Sequence, residues 1–257
     1  MLRIIKKSSF DEERLKETKP GKDSKELEDF DFSKAIVKKP WGHEYLLYQG
    51  NNLACWVLYI KKEGLTSMHC HSDKTTVLVV LSGKAECSTL NDKYLLNEGD
   101  GLVIDKKTFH STKALSENGV ILMEIENPAK KTDLLRLKDN YGRELKGYEL
   151  KNEMCFDMSM YERVFINEEK INLNKKIGNM NICVKNFLDN PSFRSYLKMH
   201  RGAISIILAG EIENKKSSTK YSNGDVLSLD NNEDIENIGV KKPVTLLHIT
   251  KDILDYD

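Results

Sequence analysis

Three of the six histidines in the chain stand at positions from which they could bind one metal ion. His69 and His71 are two residues apart, so on a β-strand their side chains would point to the same face and Cys70 to the other. His110 follows the turn at 99–101 and an apolar strand, the order expected when two neighbouring hairpins converge inside a small barrel. Three imidazoles leave positions open for water or substrate on a mid-first-row divalent ion. We therefore predict a three-histidine metal site, with zinc as the first candidate and iron, manganese or nickel as alternatives.

The histidine pattern has a second interpretation, because a lone His-x-His pair also occurs among ordinary surface and core histidines. Asp73 could add a carboxylate ligand from a loop, although no spacing places it inside the barrel. Without such a carboxylate, three neutral rings would leave the charge of a dication uncompensated. A site of that kind would favour an anionic substrate.

Charge and composition favour a small ligand over nucleic acid or a membrane. Lys plus Arg and Asp plus Glu are 40 each, so the chain has no net field to attract a polyanion. No apolar run reaches the roughly 20 residues of a membrane span, and the N-terminus turns charged too early for a secretory signal. The five cysteines are scattered and contain no Cys-x-x-Cys pair, which favours free thiols. We expect a cytoplasmic protein with a small-molecule substrate and with no nucleic-acid or membrane partner.

The elements that must position the histidines are short β-strands. Residues 1–34 are rich in charge and form a predicted N-terminal extension with a short helix near Phe10–Lys16. From Ala35 onward, short runs rich in Val, Ile, Leu and Tyr alternate with Gly, Asn and Asp turns, which predicts an all-β sandwich, jelly roll or barrel. The clearest predicted strands are Cys55–Ile60, Thr76–Leu81, Gly101–Ile104 and Val120–Ile125.

The strand pattern occurs twice along the chain. Leu81–Glu86 parallels Leu208–Glu213, and Val120–Ile125 parallels Val244–Ile249. We therefore predict two barrels from one duplication, at 35–150 and 151–257, with the second stabilising the protein and forming a homodimer. A charged helix over Thr132–Lys138 is predicted to link them.

The glycines and histidines together resemble the cupin superfamily, whose barrels are double-stranded β-helices of the jelly-roll type. Its first motif is matched by Gly64, His69, His71 and Gly83, and its second by Gly99 and His110. The metal-binding Glu of the family falls on Thr76, so the resemblance implies a bicupin whose first barrel has a three-histidine site without the carboxylate ligand.

Within the cupins, four segments resemble type II mannose-6-phosphate isomerases, including the isomerase part of mannose-1-phosphate guanylyltransferases. These segments are Lys39–Tyr45, Ser67–His71, Val79–Gly83 and Asp133–Arg143. The resemblance implies a metal-dependent enzyme for a sugar phosphate or nucleotide sugar in surface polysaccharide precursor synthesis. It covers less than half the chain, and the residues after His71 depart from the family pattern.

The same resemblance suggests catalytic roles for three residues. Glu124 would be the base that moves a proton between C1 and C2, and Arg136 and Arg143 would hold phosphate. The arginines could equally form salt bridges in a linker, and Glu124 could face water because its neighbours Met123 and Ile125 form an apolar side. Two other functions stay open, a three-histidine iron dioxygenase and a non-catalytic sugar-binding or regulatory cupin.

Overall fold

The computed structural model describes residues 1–21, 27, 30–50, 52–166 and 173–251. The chain divides into two compact units, Arg3–Phe165 and Met1–Leu2 with Ile166–Asp257. This division falls 15 residues after the predicted boundary at 150/151, and it places the predicted extension from Arg3 onward within the larger unit. Residues 22–26 and 28–29 of that extension lie outside the described residues.

The larger unit is built mainly from strands. Its elements are β1 (Leu2–Ile5), α1 (Ser9–Glu17), a 3-10 turn (Phe32–Lys34), β2 (Ile36–Lys39), β3 (Gly42–Gln49), β4 (Ala54–Ile60), β5 (Met68–Cys70), β6 (Thr75–Ser82), β7 (Ala85–Thr89), β8 (Lys93–Leu96), β9 (Gly101–Ile104), β10 (His110–Ala114), β11 (Val120–Asn127), β12 (Leu135–Lys138), a second 3-10 turn (Lys151–Glu153) and β13 (Met154–Cys155). All four strands predicted above are confirmed, as β4, β6, β9 and β11. Their β-branched and aromatic side chains fit a pleated, buried surface.

Two sheets share one apolar core in this unit. The strand order is β1-β9-β6-β11-β4-β3-β2-β13 in the eight-stranded sheet and β12-β5-β10-β7-β8 in the five-stranded sheet. One buried cluster takes Trp56, Leu78 and Leu122 from the first sheet and Cys87 and Ala114 from the second. The sheets therefore bury apolar faces together, as expected for a sandwich-like β fold.

The charged extension packs against this unit. Helix α1 begins with a capping box formed by Ser8 and Asp11, and it confirms the predicted helix near Phe10–Lys16. The other carboxylate oxygen of Asp11 accepts a hydrogen bond from the backbone N–H of Phe109 at 2.9 Å, and Asp11 is buried. The residue before His110 is thus fixed by the extension.

The predicted helix over Thr132–Lys138 is wrong, because Leu135–Lys138 forms strand β12. This strand pairs with β5, with Arg136 opposite His69 and Leu135 opposite Cys70. Charge and a local capping signal favoured a helix, but the open edge of β5 supplies backbone partners that override this weak propensity.

The smaller unit contains β14 (Asn174–Ile177), β15 (Met180–Phe187), α2 (Asn190–Met199), β16 (Ile204–Asn214), β17 (Thr219–Ser222), β18 (Val226–Ser228), α3 (Asn232–Asn237) and β19 (Ile238–Lys251). The strands form one sheet in the order β14-β15-β19-β16-β17, with β18 paired to β16. Side chains from α2 and α3 join a separate buried cluster with this sheet.

The two-barrel architecture is not confirmed, because the described strands form open sheets. In the first copy of the repeat, the chain leaves one sheet and enters the other between β6 and β7, at Gly83. The φ of Gly83 is +84°, and a Cβ added there would lie 2.7 Å from the carbonyl oxygen of Gly119, so this turn requires glycine. The second copy runs through the equivalent Gly210 as one long strand, β16, with register shifts between 207 and 212. Bulges bend this strand without splitting the smaller unit into two sheets. Among the described residues, none of the helices combines the length and apolar character needed to span a membrane.

Candidate metal centre and its cavity

The three predicted metal ligands meet on the five-stranded sheet. His69 lies in β5 and is the register partner of His110 at the start of β10, and His71 follows β5 directly. Their ring centroids are separated by 4.5 Å (His69–His110), 5.1 Å (His69–His71) and 5.5 Å (His71–His110). One ring nitrogen from each residue lies within 4.8 Å of the other two, a spacing compatible with one metal ion.

Backbone carbonyls fix the orientation of each ring. Nδ1 of His69 lies 2.8 Å from the carbonyl oxygen of Ser67, and Nδ1 of His110 lies 2.9 Å from that of Thr108. Nδ1 of His71 lies 2.6 Å from the carbonyl oxygen of Asp133. A carbonyl only accepts, so each Nδ1 carries the proton and each Nε2 keeps its lone pair. This is the tautomer that a metal site needs.

Asp133 also holds the loop that follows His71. Its carboxylate accepts hydrogen bonds from the backbone N–H groups of Ser72, Asp73 and Lys74 at 2.8, 2.9 and 3.1 Å. The segment Asp133–Arg143, on which the family resemblance partly depended, therefore positions a ligand through its first residue.

All three rings are held in the neutral form. Burial lowers the pKa of His69 and of His71 well below the usual value, and it lowers the pKa of His110 to about 4. His71 and His110 are 4% and 2% exposed, whereas His69 is half-buried. Neutral imidazoles are ready to bind a cation without first losing a proton.

The donor set fits a divalent transition metal. Nε2 of His71 is buried and has no hydrogen-bond partner among the described residues, an arrangement that a bound ion would explain. The cluster of possible ligands found among those residues contains only histidines. Thr76, at the position of the family's Glu, is fully buried, and the side chain of Asp73 is 58% exposed and pairs with Lys130. Neither supplies a carboxylate ligand.

A cavity of about 610 Å³, counted with its opening, connects the histidines to a charged wall on the eight-stranded sheet. We call it the histidine cavity. The wall carries the acidic cluster, defined as Glu44 of β3 with Glu124 and Glu126 of β11. The core-facing side of β11 thus changes from Val120 and Leu122 to two carboxylates further along the strand.

Lys131 neutralises part of this wall. Its ammonium lies 3.2 Å from Glu44, 3.2 Å from Glu126 and 3.8 Å from Glu124, and 3.9 Å from the centre of the Trp56 ring. Burial alone would raise the pKa values of Glu44 and Glu126, but Lys131 and a second lysine beside each lower both to about 2. These two carboxylates are therefore charged at neutral pH.

Glu124 differs from its two neighbours. It is 7% exposed, and its Lys131 contact is longer than those of Glu44 and Glu126. Burial is the main cause of a raised pKa, which Lys131 only partly offsets. The alternative that Glu124 faces bulk water is wrong, because its side chain is only 10% exposed and lines the histidine cavity.

Arg136 and Arg143 also line the histidine cavity, but protein groups occupy most of their donors. Nη1 of Arg136 donates to the carbonyl oxygens of Lys146 and Gly147, and its Nη2 donates to Glu149 at 3.3 Å. Arg143 donates to Asp139 and Glu149, each at 2.7 Å. Salt bridges, the alternative interpretation of these arginines, are therefore present.

Sequence reasoning missed two lysines of this cavity, Lys74 and Lys131. Lys74 is 1% exposed and pairs with Glu126 at 2.8 Å, and Lys39 pairs with Glu44 at 3.3 Å. The alternation of Glu124 and Glu126 along β11 placed both on one face and was the available signal for a charged wall. Lys131 lies in a loop, where no sequence periodicity indicates which way the side chain points.

Residues 27–139, somewhat less than half the chain, match the family model described as mannose-6-phosphate isomerase C-terminal. No curated protein matches the sequence. Solved structures that align with it include KdgF from Halomonas sp. (18% identity, 40% of this chain and 93% of that chain, TM-score 0.36) and an RmlC-like cupin from Shewanella frigidimarina (20% identity, 40% and 94%, TM-score 0.35). The capsular polysaccharide assembling protein CapF from Staphylococcus aureus aligns at 17% identity over 43% of this chain and 34% of its own, with a TM-score of 0.38. These scores are low, so no property of the three proteins is transferred to this chain.

The family match covers β2 to β12 and all three histidines. Residues 27–139 of this chain are therefore similar in sequence to the C-terminal domain of mannose-6-phosphate isomerase.

Proposed function

We propose that the protein is a metal-dependent enzyme that isomerises a sugar phosphate or a related nucleotide sugar. The observation that carries this proposal is the convergence of three neutral, carbonyl-anchored imidazoles opposite the buried Glu124 in one cavity. A metal with open coordination positions and a carboxyl group of raised pKa are the two parts that a proton-transfer reaction on a sugar needs.

His69, His71 and His110 would hold the ion, which would polarise the carbonyl and hydroxyl oxygens of the substrate. In a sugar phosphate with a free C1, Glu124 would accept a proton from C1 or C2 and return it to the other carbon, while a hydroxyl proton moves between the oxygens of the same two carbons. The reaction therefore needs no oxidant or reductant. Its raised pKa makes the carboxylate a stronger base than an exposed Glu.

The charges of the histidine cavity support an anionic substrate. Lys39, Lys74, Lys131 and the two arginines line it, against the three carboxylates of the acidic cluster. Three neutral histidines would add none of the charge needed to balance a dication. Because the Nη atoms of Arg136 and Arg143 have protein partners, we propose that these residues attract phosphate by their field more than by a bidentate grip.

A sugar-phosphate panel tests the proposal with the zinc-, manganese-, iron- and nickel-loaded protein. Turnover of one aldose or ketose phosphate is expected, together with loss of turnover in His69→Ala. His200→Ala, which changes a histidine of the smaller unit, is the control and keeps full activity. Absence of turnover with every metal and sugar phosphate would contradict the proposal.

The ligand set also favours a second candidate, a three-histidine iron dioxygenase. Among the described residues the candidate metal group contains no carboxylate, which leaves room for oxygen and a chelating substrate. Iron-loaded protein in air would then consume oxygen with a small acid or diketone. Thermal stabilisation by sugars without any turnover would select the third function, a non-catalytic sugar-binding cupin.

The biological setting is proposed from the family resemblance, as synthesis of surface polysaccharide precursors in the cytoplasm. We also propose a homodimer formed through the smaller unit, where Leu188 and Met199 are 71% and 65% exposed. Light scattering of the purified protein measures its oligomeric state, and a monomer at micromolar concentration would contradict this part.

A further inference from the structure

A second cavity lies beside the histidine cavity and contains none of the three histidines. It has an empty volume of about 820 Å³, counted with its opening. Phe30, Phe32 and Trp56 supply its aromatic surface, and Glu126, Lys130 and Lys131 supply its charge. We call it the aromatic cavity.

Two buried polar atoms on residues of this cavity have no hydrogen-bond partner among the described residues. They are Nε1 of Trp56, in a residue 2% exposed, and Oε2 of Glu126, in a residue 1% exposed. Native proteins rarely leave such atoms unpaired. A ligand that offers an acceptor to the indole N–H and a donor to the carboxylate would satisfy both.

The shape of the aromatic surface argues against a flat base held between two rings. Phe30 and Phe32 meet edge to face at 4.8 Å and 76°, and Phe32 and Trp56 meet at 5.3 Å and 74°. Neither pair of rings is parallel, so neither pair can hold a flat base between its two rings. A puckered ring with C–H groups on its faces and hydroxyls on its rim fits aromatic edges and faces equally.

The charged side chains of the aromatic cavity restrict the kinds of ligand that it can bind. Lys130 and Lys131 at the cavity disfavour a cation, and Glu126 disfavours an anion close to its unpaired oxygen. A hydroxyl group both donates and accepts, so it suits the Trp56 N–H and the Glu126 carboxylate together. We propose that the aromatic cavity is a binding subsite for a neutral pyranose sugar.

The subsite adjoins the proposed reaction centre without depending on it. Glu126 and Lys131 line both cavities, and Lys131 stacks on Trp56 while pairing with Glu44. A sugar bonded to Oε2 of Glu126 would share this carboxylate with Lys131, which contacts Oε1 and also lies beside Glu124. The subsite therefore holds either the neighbouring sugar of a longer substrate or a sugar that tunes the reaction.

Tryptophan fluorescence tests the subsite directly, because the chain has two tryptophans and, of the two cavities described, Trp41 lines the histidine cavity and Trp56 the aromatic cavity. In a Trp41→Phe background, methyl α-D-mannopyranoside or methyl α-D-glucopyranoside is expected to change the emission of Trp56 in a saturable manner. Phe30→Ala is expected to weaken the Kd by about fivefold or more. Phe30→Leu, which keeps the bulk and removes the ring, serves if the alanine variant does not fold. Phe10→Ala, an exposed aromatic of α1, is the matched control and keeps the Kd.

Adding His69→Ala to the same background tests whether sugar binding in the subsite depends on the metal site. An unchanged Kd supports the subsite even if no isomerase activity is ever found. A Kd lost with His69→Ala, retained in both Phe30 variants, or seen for uridine and for neither glycoside would overturn the proposal, as would the absence of any saturable change.

Discussion

At the scale of single residues, unequal surroundings give the three carboxylates of the acidic cluster different charge states. Glu44 and Glu126 each have two lysine partners and stay charged, while Glu124 has one distant ammonium and a raised pKa. Two carboxylates then hold Lys131 in place and one is free to exchange a proton.

Glu124 gives the first prediction. Because its pKa is raised above the ordinary value of 4.5, the basic form is lost as the pH falls through that raised pKa, and the rate falls with it. Glu124→Gln should lower kcat by roughly 10²-fold or more and remove this acidic limb, with metal content unchanged. The pH–rate profile measures both. Glu117→Gln, with an 82% exposed side chain, is the control, and a Glu124→Gln variant of normal kcat would exclude the proposed role.

Lys131 gives the second prediction, which concerns stability. Lys131→Met leaves the buried acidic cluster without its shared ammonium, and it should lower the free energy of unfolding by about 3–5 kcal/mol. Lys130→Met changes the neighbouring lysine, whose side chain is 54% exposed, and should cost less than about 0.5 kcal/mol. Denaturant unfolding at neutral pH compares the two variants. Equal stabilities would show that the cluster does not need Lys131.

At the scale of elements, strand pairing brings the ligands together. The sequence predicted β4, β6, β9 and β11 because β-branched and aromatic runs between turns are a local signal. It could not predict β12, whose partner β5 is about 65 residues earlier in the chain. The closeness of His69 and His71 could be predicted because the period-2 alternation of a strand is a local signal, whereas His110 lies about 40 residues later and was predicted from the order of turns and strands. Lys74 and Lys131 were missed because the direction of a side chain in a loop depends on contacts that are distant in sequence.

The contact between α1 and β10 gives the third prediction. The Asp11 carboxylate accepts from the N–H of Phe109, next to His110, so Asp11→Ala leaves a buried donor unpaired. We expect a loss of about 1–3 kcal/mol of stability and a weaker metal affinity. The adjacent Glu12→Ala changes a 59% exposed side chain and should alter neither. Thermal unfolding with metal titration measures both, and unchanged affinity in Asp11→Ala would exclude a positioning role for α1.

At the scale of the whole molecule, the two units have separate apolar cores, and every metal ligand and ring anchor lies in the larger one. The duplicated sequence pattern predicted a second copy of the same barrel. The second copy instead keeps long strands and covers its sheet with α2 and α3, whose apolar contacts are tertiary. A repeat in sequence therefore predicted the strands of the smaller unit and not their arrangement.

The separate cores give the fourth prediction. Phe193 is fully buried in the smaller unit, and Phe193→Ala should cost about 3–5 kcal/mol of stability in that unit. The metal content per folded chain should stay the same, because no ligand or anchor lies there. Leu188→Ala, at a 71% exposed position, is the control for the unfolding measurement. Loss of metal from folded Phe193→Ala would show that the larger unit does not hold the ion alone.

The proposed function requires that His69, His71 and His110 bind one metal ion together. Elemental analysis of the full chain, purified without chelator, tests it most directly when the wild type is compared with His71→Ala and His200→Ala. We expect about one divalent transition metal ion per chain in the wild type and in His200→Ala, and almost none in His71→Ala. Equal metal content in all three proteins, or no metal in the wild type even after incubation with zinc, iron, manganese or nickel, would contradict it.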